Sequence, residues 1–201
     1  MHSTSAAMSP RHWHRRTNNI LTVIAVILGV YITITPFLPQ LSWQFNHNRQ
    51  ARAVQAAVHQ QTNRHTPVPE ANQLLIPRLG MQEVIHTGPT TAELSKGVWL
   101  IPNTSTPDRD SNTVVIGHRF TYAGPAVFYF LDKVQVNDPI VIDWDHREYT
   151  YKVQAIDIVP PTDISVEAPT TKAMLTLYTC TPLWTAQNRL VIHASLEGIR
   201  S

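Results

Sequence analysis

From residue 73 onward the chain is cut into short β-branched runs, at residues 73–76, 82–85, 113–116, 140–144, 148–159, 173–179 and 190–196, each bounded by turn residues. Runs of that length and spacing favour an antiparallel β-barrel or sandwich. Asp145-His146-Arg147 joins two of them as a hairpin turn, and Asn137-Asp138-Pro139 marks another turn just before a strand. Only short helices fit between the runs, one over residues 90–94 and one over residues 125–131, the second with Pro125 in its first turn. Residues 73–201 are long enough for one domain with a proper core and too short for two.

The preceding part has a different composition. Residues 20–38, ILTVIAVILGVYITITPFL, carry no charge and are about long enough to cross a hydrocarbon core of roughly 30 Å. They predict a transmembrane helix. Thr33 and Thr35 can bond back to the helix, and Pro36 near its end is tolerated. Arg11, Arg15 and Arg16 precede the run, and the next charge after it is Arg49, so residues 1–19 are expected in the cytoplasm and the β-rich domain outside. A cleavable signal peptide would have a shorter apolar region, and no small-x-small cleavage site follows Leu38. Residues 39–72 turn polar and read as a stalk, with an amphipathic helix over residues 51–61 and then Pro67-Val68-Pro69. The formal net charge is only +2 and much of the positive charge precedes the domain, which argues against a nucleic-acid partner.

Cys180 is the one cysteine in the chain. A single thiol forms no internal disulfide, and a structural metal site normally needs further thiolates or a tight His cluster. Chemistry is the remaining reason to weigh it. Cys180 ends the run 173–179, Arg189 opens the next one after a short loop, and His118 follows the run 113–116 and Gly117. An imidazole can take the thiol proton while a guanidinium steadies a tetrahedral oxyanion, so the three form a set for acyl transfer. Taken singly, each has an ordinary explanation: a buried small hydrophobe, a turn histidine, a solvated strand end. His86, His146 and His193 read as structural or exposed, with no metal-pair spacing. Asp108, Asp110 and Glu167 do not make a calcium loop, and no metal is expected.

Thr176-Leu177-Tyr178-Thr179-Cys180 followed by Arg189 resembles the Thr-Leu-x-Thr-Cys…Arg signature of sortases. Asn112-Thr113-Val114-Val115-Ile116-Gly117-His118-Arg119 resembles the segment that carries their histidine. The likeness extends from Leu75-Ile76-Pro77 through Lys96-Gly97-Val98-Trp99 and Asn137-Asp138-Pro139 to residue 196. It implies a mostly β, closed antiparallel or mixed sortase-like barrel with short helices over residues 73–201, held at the outer face of the membrane by the single N-terminal helix. It implies a cysteine transpeptidase that cuts a Leu-Pro-x-Thr-Gly (LPXTG)-like sorting signal near the C-terminus of secreted proteins and joins them to an amine acceptor, a peptidoglycan precursor or a pilin lysine. No cofactor is implied. By position Cys180 is the nucleophile, His118 the acid/base and Arg189 the oxyanion and substrate-orienting group, with the amide after Cys180 a second oxyanion donor and Thr179 a substrate contact.

Cys180-Thr181-Pro182 and Gly117-His118-Arg119 look similar to the pilin-polymerising group, yet residues 60–73 hold no aromatic residue for the lid that group often carries, so the subclass stays open. The loop 160–172 lies where the family places part of its sorting-signal groove, and a plain surface loop is the other reading. A membrane-anchored cysteine peptidase would use the same groups and release an acid. A non-catalytic anchored binding domain would tolerate loss of Cys180.

Overall fold

The computed structural model describes residues 10–38, 41, 52–54, 56 and 71–201. The chain divides into two units, Met1–Phe45 and Asn46–Ser201. In the first, helix α1 (Pro10–Ile34) runs into a 3-10 turn, Thr35–Phe37. The hydroxyls of Thr22, Thr33 and Thr35 donate to the carbonyls of Asn18 (2.8 Å), Gly29 (2.7 Å) and Tyr31 (2.6 Å), so they take their bonds from the helix itself. Its apolar side chains from Ile20 to Ile34 are exposed. Among the described residues, however, no helix is long and apolar enough to cross a membrane. The part of the apolar run that lies within α1, residues 20–34, spans about 22 Å at 1.5 Å per residue, and the rest of the run continues as the 3-10 turn around Pro36. The stalk expected over residues 39–72 lies almost wholly outside the described residues; of its expected helix, residues 52–54 and 56 are helical.

The second unit is a closed barrel. Its strands are β1 (Gln73–Ile76), β2 (Met81–His86), β3 (Val98–Leu100), β4 (Asn112–Ile116), β7 (Pro139–Trp144), β8 (Arg147–Val159), β9 (Met174–Thr181) and β10 (Asn188–Arg200); β5 (Phe120–Thr121) and β6 (Gly124–Pro125) form a separate small hairpin. The barrel order is β1-β2-β3-β4-β9-β10-β8-β7, and β7 closes it by pairing with β1. All neighbours are antiparallel except β2–β3 and β4–β9. A parallel pair needs a long crossover, and here it carries the chain from β4 through β5, β6, β7 and β8 before β9 returns. Register shifts in β10 after His193 and Leu196 bend the two long strands round the barrel.

Alternation accounts for the core. Leu74, Ile76, Val115, Leu175, Leu177, Ile140, Ile142 and Ile192 are buried inside the barrel, and Phe128 and Leu131 from the β6–β7 segment pack into the same cluster. Each such side chain contributes roughly 1.5–3 kcal/mol by leaving water. Asp145 and His146 turn the β7–β8 hairpin with φ of 47° and 60°, the left-handed pair that a two-residue hairpin loop requires.

Three details depart from the expected elements. Residues 125–131 do not form a helix. The amides of Ala126 and Phe128 donate instead to the carbonyls of Arg119 (3.2 Å) and His118 (3.0 Å), those of Tyr129 and Leu131 close turns onto Ala126 (2.9 Å) and Phe128 (3.1 Å), and Leu131–Lys133 makes a 3-10 turn. The expected helix at residues 90–94 is a 3-10 turn, Thr91–Ser95. β9 runs two residues further than expected, so Cys180 lies within the strand and is held by its ladder.

Away from this segment, Asp143 on β7 is 0% exposed, and neither carboxylate oxygen has a hydrogen-bond partner among the described residues. It pairs across the ladder with Glu148, whose carboxylate takes the Arg200 guanidinium at 2.7 Å. Burial, with the Glu148 charge behind it and Arg200 opposing, pushes Asp143 up to about 6. A raised carboxyl pKa means that the folded state holds a proton the unfolded chain releases, so stability falls as pH rises from about 4 to about 6. Asp143→Asn removes that loss. Its stability relative to the parent is expected to rise by on the order of 3 kcal/mol between pH 4 and pH 8, measured by urea unfolding at both; a difference independent of pH would contradict the assignment.

Candidate active site

Two ladders bring the three expected residues together. The antiparallel β9–β10 pairing sets Arg189 directly opposite Cys180. The parallel β4–β9 pairing ends at Ile116 opposite Tyr178, so His118, two residues past Ile116, stands beside Cys180, two residues past Tyr178. His118, Cys180 and Arg189 line one cavity of about 250 Å³, walled by Leu94, Ile116 and Tyr178. On β9 the side chains of Leu175, Leu177, Thr179 and Thr181 are buried, and those of Tyr178 and Cys180 between them are half-buried on the outer face. The free thiol is thus open to the cavity. The Arg189 Nη1 donates to the carbonyls of Asn188 (3.2 Å) and Ala186 (3.4 Å), which anchors the guanidinium at the rim.

Further spaces meet at the same residues. A cavity of about 590 Å³ shares Leu94 and His118 with the first and is bordered by Glu83 and Lys96. A smaller one, about 120 Å³, lies between His118, Cys180 and the Trp184 ring, which packs edge-on against Phe120 at 4.2 Å. His118 therefore faces open space on more than one side.

The backbone that presents His118 is fixed by close packing and two polar ties. A Cβ built on Gly117 would lie 2.8 Å from both the Phe128 ring and Val127, so only glycine lets those side chains cover the strand end. Thr179, expected as a substrate contact, lines the cavity; the residue is 2% exposed and its hydroxyl donates to the Gly117 carbonyl at 2.7 Å. Its side chain is a tie between β9 and the His118 loop. Arg119, 7% exposed, donates to the Thr181 hydroxyl (2.8 Å) and the Tyr129 carbonyl (3.3 Å) and pairs with Asp132 (3.0 Å). The two ties bracket the His118–Cys180 pair.

The sequence reading did not single out Arg119 as functional. Its partner Thr181 is 62 residues away, and the only local signal is that it directly follows the candidate histidine. His193 does not line this site: on the outer face of β10 it lies 3.4 Å from the Thr176 hydroxyl and 3.8 Å from Asp157, and burial lowers its pKa against the pull of that carboxylate. His146 sits in the β7–β8 turn. Among the described residues no group of three or more His, Cys, Asp or Glu side chains could hold a metal ion.

Comparison with known proteins gives the family and the fold. The chain is 31% identical over 99 residues to sortase SrtE1 of Streptomyces coelicolor, a match that covers 44% of this chain and 28% of that protein's length. Its fold is similar to sortase A from Corynebacterium diphtheriae (TM-score 0.59, 28% identity, 65% of this chain and 61% of the other). It is also similar to sortase E1 from Streptomyces coelicolor with a tripeptide in the active site (TM-score 0.57, 27% identity, 65% and 90%). The family model for the sortase domain matches residues 74–197, from the first barrel strand through most of the last, and the chain belongs to the sortase family.

Proposed function

We propose that the protein is a membrane-anchored cysteine transpeptidase that cleaves an LPXTG-like sorting signal through a thioacyl intermediate and transfers the acyl part to an amine. The observation that carries it is the shared cavity of Cys180, His118 and Arg189 at the end of the β4–β9 pair. The Cys180 thiolate adds to the carbonyl of the Thr–Gly bond. His118 gives a proton to the departing amine as the C–N bond breaks, leaving a thioester on Sγ. An amine then adds to the thioester, His118 takes its proton, and the thiolate leaves. Arg189 and the amide following Cys180 hold the oxyanion in both steps. The cavity beside Glu83 also reaches His118 and is not lined by Cys180, which suits an acceptor such as a peptidoglycan precursor or a pilin lysine.

The full chain incubated with Leu-Pro-x-Thr-Gly peptides and a panel of amines is expected to yield peptide cut between Thr and Gly and capped by amine, with an acyl adduct on Cys180 seen by mass spectrometry. Free acid in place of the amide would favour the peptidase instead. No cleavage under reducing conditions would sink both. Anchoring rests on the charge-free run 20–38 and the arginines before it. The barrel outside and the N-terminus inside predict resistance to alkaline extraction and digestion of the barrel by external protease; release at alkaline pH would overturn it.

Gly117→Ala forces Val127 and Phe128 off the strand end. It is expected to cost about 1–3 kcal/mol in stability and, by shifting His118, to lower kcat/KM on the order of 10²-fold. Thermal unfolding and peptide turnover check the two effects. Turnover equal to the parent would show that the glycine does not set the position of His118.

A further inference from the structure

Backbone pairing between β4 and β9 stops at Ile116 opposite Tyr178, two residues short of His118 and Cys180. Beyond that point burial still alternates in step on both segments. Gly117 and Arg119 are buried while Ile116, His118 and Phe120 are half-buried, just as Thr179 and Thr181 are buried while Tyr178 and Cys180 are half-buried. That period of two is the mark of paired strands. Side chains on the buried face take over the bonding. The Thr179 hydroxyl donates to the Gly117 carbonyl (2.7 Å) and Arg119 Nη1 to the Thr181 hydroxyl (2.8 Å), each across 62 residues, the same offset that separates Ile116 from Tyr178. His118 and Cys180 lie between these two rungs and line the cavity together.

The outer rung is anchored on more than one side. Each guanidinium nitrogen of Arg119 has its own partner: Nη1 the Thr181 hydroxyl, Nε the Tyr129 carbonyl (3.3 Å) and Nη2 the Asp132 carboxylate (3.0 Å). One buried side chain thus joins the end of β9 to the segment that follows the β5–β6 hairpin. A buried guanidinium is costly unless its charge and donors are met, and a planar fork with a partner at every nitrogen has little freedom to turn. On the other edge the His118 segment is held through its backbone, where the His118 and Arg119 carbonyls accept from the amides of Phe128 (3.0 Å) and Ala126 (3.2 Å). Toward β9 the side-chain rungs make the connection.

We propose that Arg119 and Thr181 are positioning residues that hold His118 at its working distance from Cys180, as the outer rung of a side-chain ladder that carries the β4–β9 register past the end of β4. The reaction the rung serves rests on the transpeptidase reading; the rung itself does not. His118 must reach an amine leaving the carbonyl held on the Cys180 sulfur, and a misplacement of about 1 Å costs on the order of 10²-fold in rate. Thr181 lies on the buried face, so losing its hydroxyl takes no contact from a peptide in the cavity and falls on kcat.

The test uses Thr181→Val, Thr181→Ser, Arg119→Met and the Thr181→Val, Arg119→Met double variant in the full chain. Amide hydrogen exchange at Ala126 and Phe128, whose acceptors are the Arg119 and His118 carbonyls, reports the His118 segment without any peptide. Thr181→Val is expected to speed that exchange about tenfold, the size of one lost charge-assisted hydrogen bond, with the amides of β8 and β10 unchanged. It should lower kcat by at least about tenfold with KM within about twofold. Thr181→Ser keeps the hydroxyl and should recover most of the loss. The double variant should be no worse than Arg119→Met alone, because both changes remove the same bond. Unchanged exchange in Thr181→Val, a loss confined to KM, no recovery in Thr181→Ser or additive effects in the double variant would overturn the proposal. Faster exchange in Thr181→Val, with no peptide turned over by the parent, would support the rung and overturn the transpeptidase reading instead. Should Arg119→Met fail to fold, the Thr181→Val and Thr181→Ser pair decides by the same readouts.

Discussion

Cys180→Ala is expected to abolish the acyl adduct and lower kcat/KM by at least about 10⁴-fold, the scale on which removal of a covalent nucleophile acts. Cys180 is the only thiol in the chain, it lies within β9 with its side chain on the outer face, and it opens to the cavity it shares with His118 and Arg189. No other cysteine can replace it. Because the side chain is half-buried and the strand is held on both sides by β4 and β10, alanine should leave the barrel folded. Mass spectrometry of the intact protein after incubation with peptide, beside turnover of the same peptide, separates loss of chemistry from loss of fold. A variant that kept more than about one hundredth of the activity would remove Cys180 from the covalent role.

Arg189→Ala should follow in size, with kcat down about 10²–10³-fold, the cost of removing one oxyanion donor. The ladder sets Arg189 opposite Cys180, and its Nη1 is tied to the carbonyls of Ala186 and Asn188, so the guanidinium is oriented before substrate binds. That preorganisation is what a point charge on a flexible stem lacks, and Arg189→Lys should recover only a small part of the loss. Single-turnover formation of the acyl adduct isolates the step concerned. An effect confined to KM would make Arg189 a ground-state binding residue, with the oxyanion held elsewhere.

The sites of both variants were legible in the sequence because each is announced locally. One cysteine at the end of a β-branched run, a histidine after another run and an arginine opening the next are visible in single segments, and alternation along those segments fixes which side chains face the core. The seven runs correspond to seven of the eight barrel strands. The eighth, β3, has three residues, all buried, too few to show a period. The helix expected over residues 125–131 does not form for a related reason: Pro125 suits a first helical turn, but the amides of Ala126 and Phe128 go to the backbone of Arg119 and His118, partners that only the folded loop supplies.

What the sequence alone determined is the β class and the three chemical groups to weigh, since these depend on residue type and short-range period. The tertiary structure decided how those groups meet. Parallel pairing of β4 with β9 joins segments about sixty residues apart, and it is this pairing that sets His118 beside Cys180. It also tied the Thr179 hydroxyl to the Gly117 carbonyl, tied Arg119 to Thr181 beside the site, and brought Tyr178 to Glu167. Hydrogen bonds of that range leave no periodic trace in the chain, because their geometry exists only once the barrel has closed.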